Sequence, residues 1–230
     1  LEDAVMTAQQ VIQYGVPIAR IEMLNADQMG ISINYSKLKD IEAVPTLFFE
    51  FHGSESSNQE NIKIVEELSK DNKGSSFKWA KDLEDRNKLW QARWDVYYSV
   101  KALNNNGRVY STDVCVPISK ITECVKFAEE KAKELGVRAP MVGHMGDGNF
   151  HVVLPYDPEK KDIYKQLRAF NAKLIRKALE LEGTITGEHG VGLHKKEYLL
   201  EQHPDNIPVM RSIKRTMDPN NIMNPGKIFD

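Results

Sequence analysis

The sequence predicts an α+β fold, an antiparallel sheet with helices on one face. Three observations lead there. Strand-like and helical segments alternate at uneven spacing, and a hairpin around Gly146-Asp147-Gly148 interrupts the series. No strand is followed by a G-x-G-x-x-G turn into a helix, as a doubly wound nucleotide-binding sheet would require.

Taken in order, residues 1–14 have helical spacing, with Ala4, Val5, Ala8, Val11 and Ile12 on one side, and Gly15 and Pro17 end the helix. Ile18–Met23 reads as a short strand, and Asn25 as the cap of a second helix. Thr46–His52 (TLFFEFH) is rich in residues that suit a pleated sheet. Residues 58–70 form an amphipathic helix and Ser75–Ala80 a further strand. Leu83–Leu103 reads as one long helix closed by Asn104-Asn105-Asn106-Gly107, and Val109–Val116 as a strand. Pro117 and Ser119 lead into a helix reaching about Leu135. Pro140–His144 and Asn149–Leu154 flank the Gly-Asp-Gly turn, Lys160–Leu181 is helical, and helices near 195–202 and 205–217 precede a turn-rich tail.

The chain has 230 residues, enough for one large domain or two small ones. The formal net charge of −2 gives no electrostatic reason to expect nucleic acid, which needs concentrated Lys and Arg. No apolar run approaches the roughly 20 residues of a membrane-spanning helix. Cys115 and Cys124 form no disulfide framework, and a reducing compartment is the simple reading. Leu1-Glu2-Asp3-Ala4 has neither an initiator Met nor the features of a signal peptide, so the chain reads as cut from something longer.

Three segments carry chemistry. In Gly143-His144-Met145-Gly146-Asp147-Gly148-Asn149-Phe150-His151, an uninterrupted strand would put the two histidines on opposite faces. The Gly146-Asp147-Gly148 turn lets two strands fold back so that both imidazoles converge, and glycines leave room for a ligand near the backbone. The residues alone leave two readings, a pair of metal ligands or two unrelated loop histidines. Thr184-Ile185-Thr186-Gly187-Glu188-His189-Gly190-Val191-Gly192 sets an acid beside a histidine among glycines. A carboxylate there suits a third metal ligand, and the histidine a general base; a polar loop without function is the alternative. His52, His194 and His203 read as surface or structural. In Leu89-Trp90-Gln91-Ala92-Arg93-Trp94-Asp95-Val96-Tyr97, Leu89, Arg93, Tyr97 and Val100 run along one helix face. A guanidinium on that stripe pairs with a ligand carboxylate or with a structural acid, or reaches to water.

LWQARWD, YSTDVCVPIS, GHMGDGNFH, TGEHGVG and DPNNIMNPGK, in this order, resemble FAD-linked oxidases of the vanillyl-alcohol oxidase type. The likeness covers nearly the whole chain, most firmly from Leu89 to Phe229. GHxGDGNxH with GEHGxG is a specific pairing, and YSTDVCVPIS is most similar to the cytochrome-linked, mitochondrial-type D-lactate dehydrogenases. The resemblance implies a two-part enzyme in which an N-terminal domain binds most of the FAD. A cap with a ferredoxin-like sheet, here residues 1–194, carries the substrate site, and a C-terminal segment, here 195–230, packs back on the flavin domain.

Residue by residue, the resemblance makes His144, His151 and Glu188 the ligands of a divalent metal, zinc or manganese. It makes His189 the base, and Arg93 the grip on a substrate carboxylate. Asn224 and Lys227 fall in the segment expected near the flavin. Relatives that oxidise D-2-hydroxyglutarate carry further polar residues where this sequence has Tyr97, Ser111 and Val153, which favours a short monocarboxylate such as D-lactate. The implied reaction is metal-assisted oxidation of D-lactate to pyruvate, with hydride transfer to FAD. Electrons then pass to an external acceptor: cytochrome c, a quinone or an electron-transfer flavoprotein. D-2-hydroxyglutarate or glycolate oxidation within the family, and a His/His/Glu metallohydrolase outside it, are the rival readings. The expected location is cytoplasmic for a bacterial source and mitochondrial for a eukaryotic one, peripheral to the inner membrane, and the fragment alone is expected to be inactive.

Overall fold

A computed structural model describes the chain except residues 40, 81, 104–106 and 230; for Lys161 only the backbone is described. The elements are α1 (Glu2–Gln13), β1 (Arg20–Leu24), α2 (Ala26–Ser36), β2 (Thr46–Glu50), α3 (Glu55–Asp71), α4 (Leu83–Trp94), α5 (Val96–Lys101), β3 (Arg108–Ser111), β4 (Val114–Cys115), α6 (Ile121–Glu134), β5 (Met141–His144), β6 (Asn149–Tyr156), α7 (Lys161–Glu180), α8 (Lys196–Gln202) and α9 (Ile207–Met217).

The strands form one antiparallel sheet in the order β2-β1-β5-β6-β3, and β4 also pairs with β6. The α+β class and the antiparallel sheet expected from the sequence are therefore present. The main helical layer, α1, α3, α6 and α7, covers one face. There Val5, Val11, Val65, Val125, Phe170 and Leu174 pack on Ile21, Met23, Met141, Phe150, Val152 and Leu154. Full burial of each of the larger side chains stabilises by about 1.5–3 kcal/mol. A smaller group, α2, α4 and α5, packs on Leu24, Val142 and Val153. Strand periodicity places those three on the opposite face, so the sheet has helices on both sides and not only on the one face expected from the sequence.

Asn25 is the cap the sequence suggested, its Oδ1 accepting the Gln28 N–H at 3.0 Å. The same oxygen accepts the Met141 N–H, and its amide donates to the Ala139 carbonyl. One side chain thus ends β1, starts α2 and fixes the entry of β5.

Three expected elements differ. Ser75–Ala80 is not a strand: Ser76 adopts φ +55°, which breaks a pleated ribbon. The Leu83–Leu103 helix breaks at Asp95, whose carboxylate accepts hydrogen bonds from Gln91 Nε2 and Ser36 Oγ. The buried side of α4 and α5 is accordingly Trp90, Ala92, Val96 and Val100, and Tyr97 is exposed instead of continuing the Arg93 stripe. The Val109–Val116 strand is interrupted at Thr112-Asp113. Residues 104–106 of the expected helix breaker lie outside the described residues.

Candidate functional site

The hairpin β5–β6 builds the floor of the site. Its register pairs His144 with Asn149 and Val142 with His151, so the two histidines sit a diagonal step apart on one face. The intervening turn resets the strand parity, as the glycines suggested. Gly148 has φ +76°, and a Cβ there would lie 2.0 Å from the Val116 carbonyl oxygen, so the turn requires glycine. On the next strand Glu22 is the register partner of His144 and faces the same way.

Hydrogen bonds fix both rings. His144 Nδ1 donates to Glu22 Oε1 at 2.8 Å, and His151 Nδ1 donates to the Thr112 carbonyl at 2.9 Å. The second bond depends on the β3–β4 interruption. The Thr112 hydroxyl accepts the Val152 N–H, leaving the Thr112 carbonyl to accept from His151. With Nδ1 protonated on both rings, both Nε2 atoms offer lone pairs to the same space. Glu188 Oε1 lies 2.9 Å from His151 Nε2 and 3.5 Å from His144 Nε2. His189 stacks on His151 with ring centroids 4.8 Å apart, and its Nε2 is 3.7 Å from the same carboxylate oxygen.

Glu188 and His189 sit on an irregular loop that Asp113 holds. The Asp113 carboxylate accepts the backbone N–H groups of Gly187, Glu188 and His189, the Thr186 hydroxyl, the Asn149 amide and Lys195 Nζ. Gly187 is required here too, because a Cβ would fall 1.3 Å from Asn149 Nδ2. Burial pushes the Asp113 carboxyl upward, but the Thr186, Asn149, Lys195 and His189 contacts outweigh it and hold the group far below the ordinary range. Burial lowers Lys195 despite its pairing with Asp113, so desolvation is the larger effect on the lysine.

Burial raises Glu22 too, and the hydrogen bonds and charges of His144 and Arg93 bring it below the usual value. His144 is raised, chiefly by its bond to Glu22; His151 is lowered, chiefly by burial.

His144, His151 and Glu188 each offer one ligand atom, and these lie within 4.8 Å of one another. The donor set fits a divalent ion: two oriented neutral imidazoles, one carboxylate, and backing partners on both rings. Asp113, His151 and His189 also bring ligand atoms within 4.8 Å of one another. Asp113, however, already serves six donors and is an anchor rather than a ligand.

Arg93 reaches the site from α4. Its Nε donates to Glu22 Oε2 at 2.8 Å, so the structural acid anticipated as one alternative exists. A cleft of about 730 Å³ beside it is lined by Glu22, Arg93, Trp94, His144 and Asp147, with Ile18 and Ile21 as apolar wall. Asn224 and Lys227 are exposed, on the tail. That tail reaches the site loop, because Ile228 N–H donates to the Gly192 carbonyl and Lys196 Nζ to the Gly226 carbonyl. Val153 is buried beneath α2 and α5, and Ser111 and Tyr97 are exposed.

Glu22 and Asp113 had no part in the sequence reading. For each a signal existed: an acid among Ile21, Met23 and Leu24 in a strand, and a polar pair interrupting a β-rich run.

The model of "FAD linked oxidases, C-terminal domain" matches residues 1–228. The chain belongs to this family. It is 42% identical over its whole length to a "Probable D-lactate dehydrogenase, mitochondrial" of Danio rerio, covering 46% of that protein. It is 34% identical to a "D-lactate dehydrogenase [cytochrome], mitochondrial" of Arabidopsis thaliana, covering 40%, and 30% identical to a glycolate oxidase subunit of Bacillus subtilis, covering 49%. The chain thus spans about half the length of the curated relatives it matches. Among solved structures, 4-ethylphenol oxidase of Gulosibacter chungangensis aligns over the full chain with a TM-score of 0.70 at 15% identity, covering 52% of that protein. p-Cresol methylhydroxylase aligns with a TM-score of 0.66 at 13% identity, covering 51%. Both share the fold, as the sequence resemblance to vanillyl-alcohol-oxidase-type proteins implied.

Proposed function

We propose that this chain is the substrate- and metal-binding part of a flavin-dependent D-2-hydroxy-acid dehydrogenase that oxidises D-lactate to pyruvate. The observation that carries this reading is the convergence of His144 Nε2, His151 Nε2 and Glu188 Oε1, with His189 stacked beside them and Arg93 held to the same floor through Glu22.

In this reading His144, His151 and Glu188 hold a divalent ion, zinc or manganese. The ion supplies Lewis acidity at the substrate hydroxyl and the FAD supplies a two-electron acceptor. Arg93 binds the substrate carboxylate through its terminal nitrogens, since its Nε is engaged by Glu22. His189 takes the hydroxyl proton at Nε2. Its partly exposed ring gives that proton a route to water. Gripping the acid at carboxylate and hydroxyl presents one face of Cα, which selects the D enantiomer.

Residues 195–230 form the surface that meets the flavin-binding part, and Asn224 and Lys227 lie near the flavin. The exposed Val209, Ile213 and Met217 on α9 support that docking. The names of the relatives favour a cytochrome acceptor and, for a eukaryotic source, a mitochondrial location. Among the described residues no helix is long and apolar enough to cross a membrane.

The test is anaerobic mixing of full-length protein with D-lactate, L-lactate, glycolate and D-2-hydroxyglutarate while flavin absorbance is followed. Fast bleaching by D-lactate is expected. Faster bleaching by glycolate would move the assignment to the substrate named for the Bacillus subtilis relative, and no bleaching by any acid would end it.

A further inference from the structure

Glu22 is buried, sits on a central strand, and has both oxygens committed to residues of the proposed site: Oε1 to His144 Nδ1 and Oε2 to Arg93 Nε, each at 2.8 Å. We infer that Glu22 is a positioning residue that sets the metal-ligand histidine and the carboxylate-binding arginine together, as one unit. This rests on the proposed function above.

The argument is geometric. β1 pairs with β5 so that Glu22 stands directly opposite His144. The carboxylate can only accept, so it fixes the Nδ1–H tautomer and leaves Nε2 aimed at Glu188. Its other oxygen takes the Nε edge of Arg93, which fixes the plane of the guanidinium and leaves the two terminal nitrogens for a ligand. Among the described residues Glu22 is the bonded partner of Arg93.

Charge points the same way. A guanidinium and a divalent ion close together repel, and an anion between them offsets that repulsion in a half-buried cleft. An apolar residue at position 22 would leave Arg93 partly buried and unpaired, and His144 free to choose its tautomer. Neither a purely structural ion pair nor a purely metal-supporting carboxylate needs both contacts.

The experiment uses full-length flavoprotein with Glu22→Gln, an amide of nearly the same shape that can accept at only one atom. Two readouts are needed: zinc and manganese affinity by competition with a chromophoric chelator, and KM and kcat for D-lactate at saturating metal. Metal affinity should fall on the order of 10–100-fold. KM should stay raised by roughly tenfold or more when metal is saturating, while kcat recovers, because the arginine remains unfixed. Wild-type values for both readouts overturn the inference, and so does a change in one without the other. Should Glu22→Gln not fold, Glu22→Asp keeps the charge but cannot span both partners, and the same paired loss is required of it. Failure of the proposed function looks different: wild-type protein itself would bind no divalent ion, or its flavin would not be reduced by D-lactate.

Discussion

The two halves of the candidate site are built in opposite ways. His144 and His151 project from a paired hairpin in the middle of the sheet, and their side chains are largely shielded. Glu188 and His189 come from a loop without regular structure, and about half of each side chain is open to solvent. The hairpin takes its geometry from backbone ladders that any sheet provides. The loop has no ladder, and three of its successive N–H groups converge on the single carboxylate of Asp113. Precision in a loop thus comes from one buried anion, whereas precision in a sheet is shared among many bonds. The loop should therefore be sensitive to fewer, more damaging substitutions.

The largest effect that separates the halves is expected from His189→Ala. In full-length protein turnover of D-lactate should fall about 10²–10⁴-fold while metal content stays at the wild-type level. His144→Ala should instead leave the protein unable to hold the metal through dialysis; metal analysis of both variants checks this, and equal metal loss would erase the division of labour.

Asp113→Ala leaves three loop N–H groups without their acceptor and takes the counter-ion from Lys195, which keeps only its bond to the residue 113 carbonyl. It should cost about 3–5 kcal/mol in denaturant unfolding and release the metal, although Asp113 is not a ligand. Gly187→Ala forces a Cβ onto Asn149 and should cost about 1–3 kcal/mol, with turnover reduced more than in Gly146→Ala, where a Cβ meets open space.

The smallest effect is in acid. The folded Asp113 carboxyl titrates below its unfolded value, which is about 4. Between those values the unfolded chain binds more protons, so stability present above about pH 4 is lost as pH falls through the folded value. Asp113→Asn should flatten that acid limb in equilibrium unfolding; an unchanged slope would show that other carboxylates set it.

Local signals made the hairpin readable in the sequence. A Gly-Asp-Gly turn between two β-rich runs allowed the histidines to converge, though the residues alone left unrelated loop histidines open, and the GEHG loop could be marked from its residue types. The roles of Glu22 and Asp113 were not readable, because each depends on register with a distant segment: Glu22 on residues 93 and 144, Asp113 on 149 and 186–195. The break at Asp95 escaped for a similar reason. Its partner Ser36 comes from another helix, and helical spacing alone gives no reason to stop there. Ser75–Ala80 has strand-like composition, yet the left-handed backbone at Ser76 does not allow a pleated run there.

The tail contacts at Gly192 and Lys196 tie the site loop to residues 226–228, while Asp113 holds it from the opposite side. Ordering this loop therefore closes two long chain segments of different ages. During synthesis the hairpin can form once residue 156 has emerged, but the loop's outer tether does not yet exist. The Glu188–His189 loop is fully braced only once residues 226–228 have been made, so a nascent chain would carry the two-histidine floor well before it carried the braced loop.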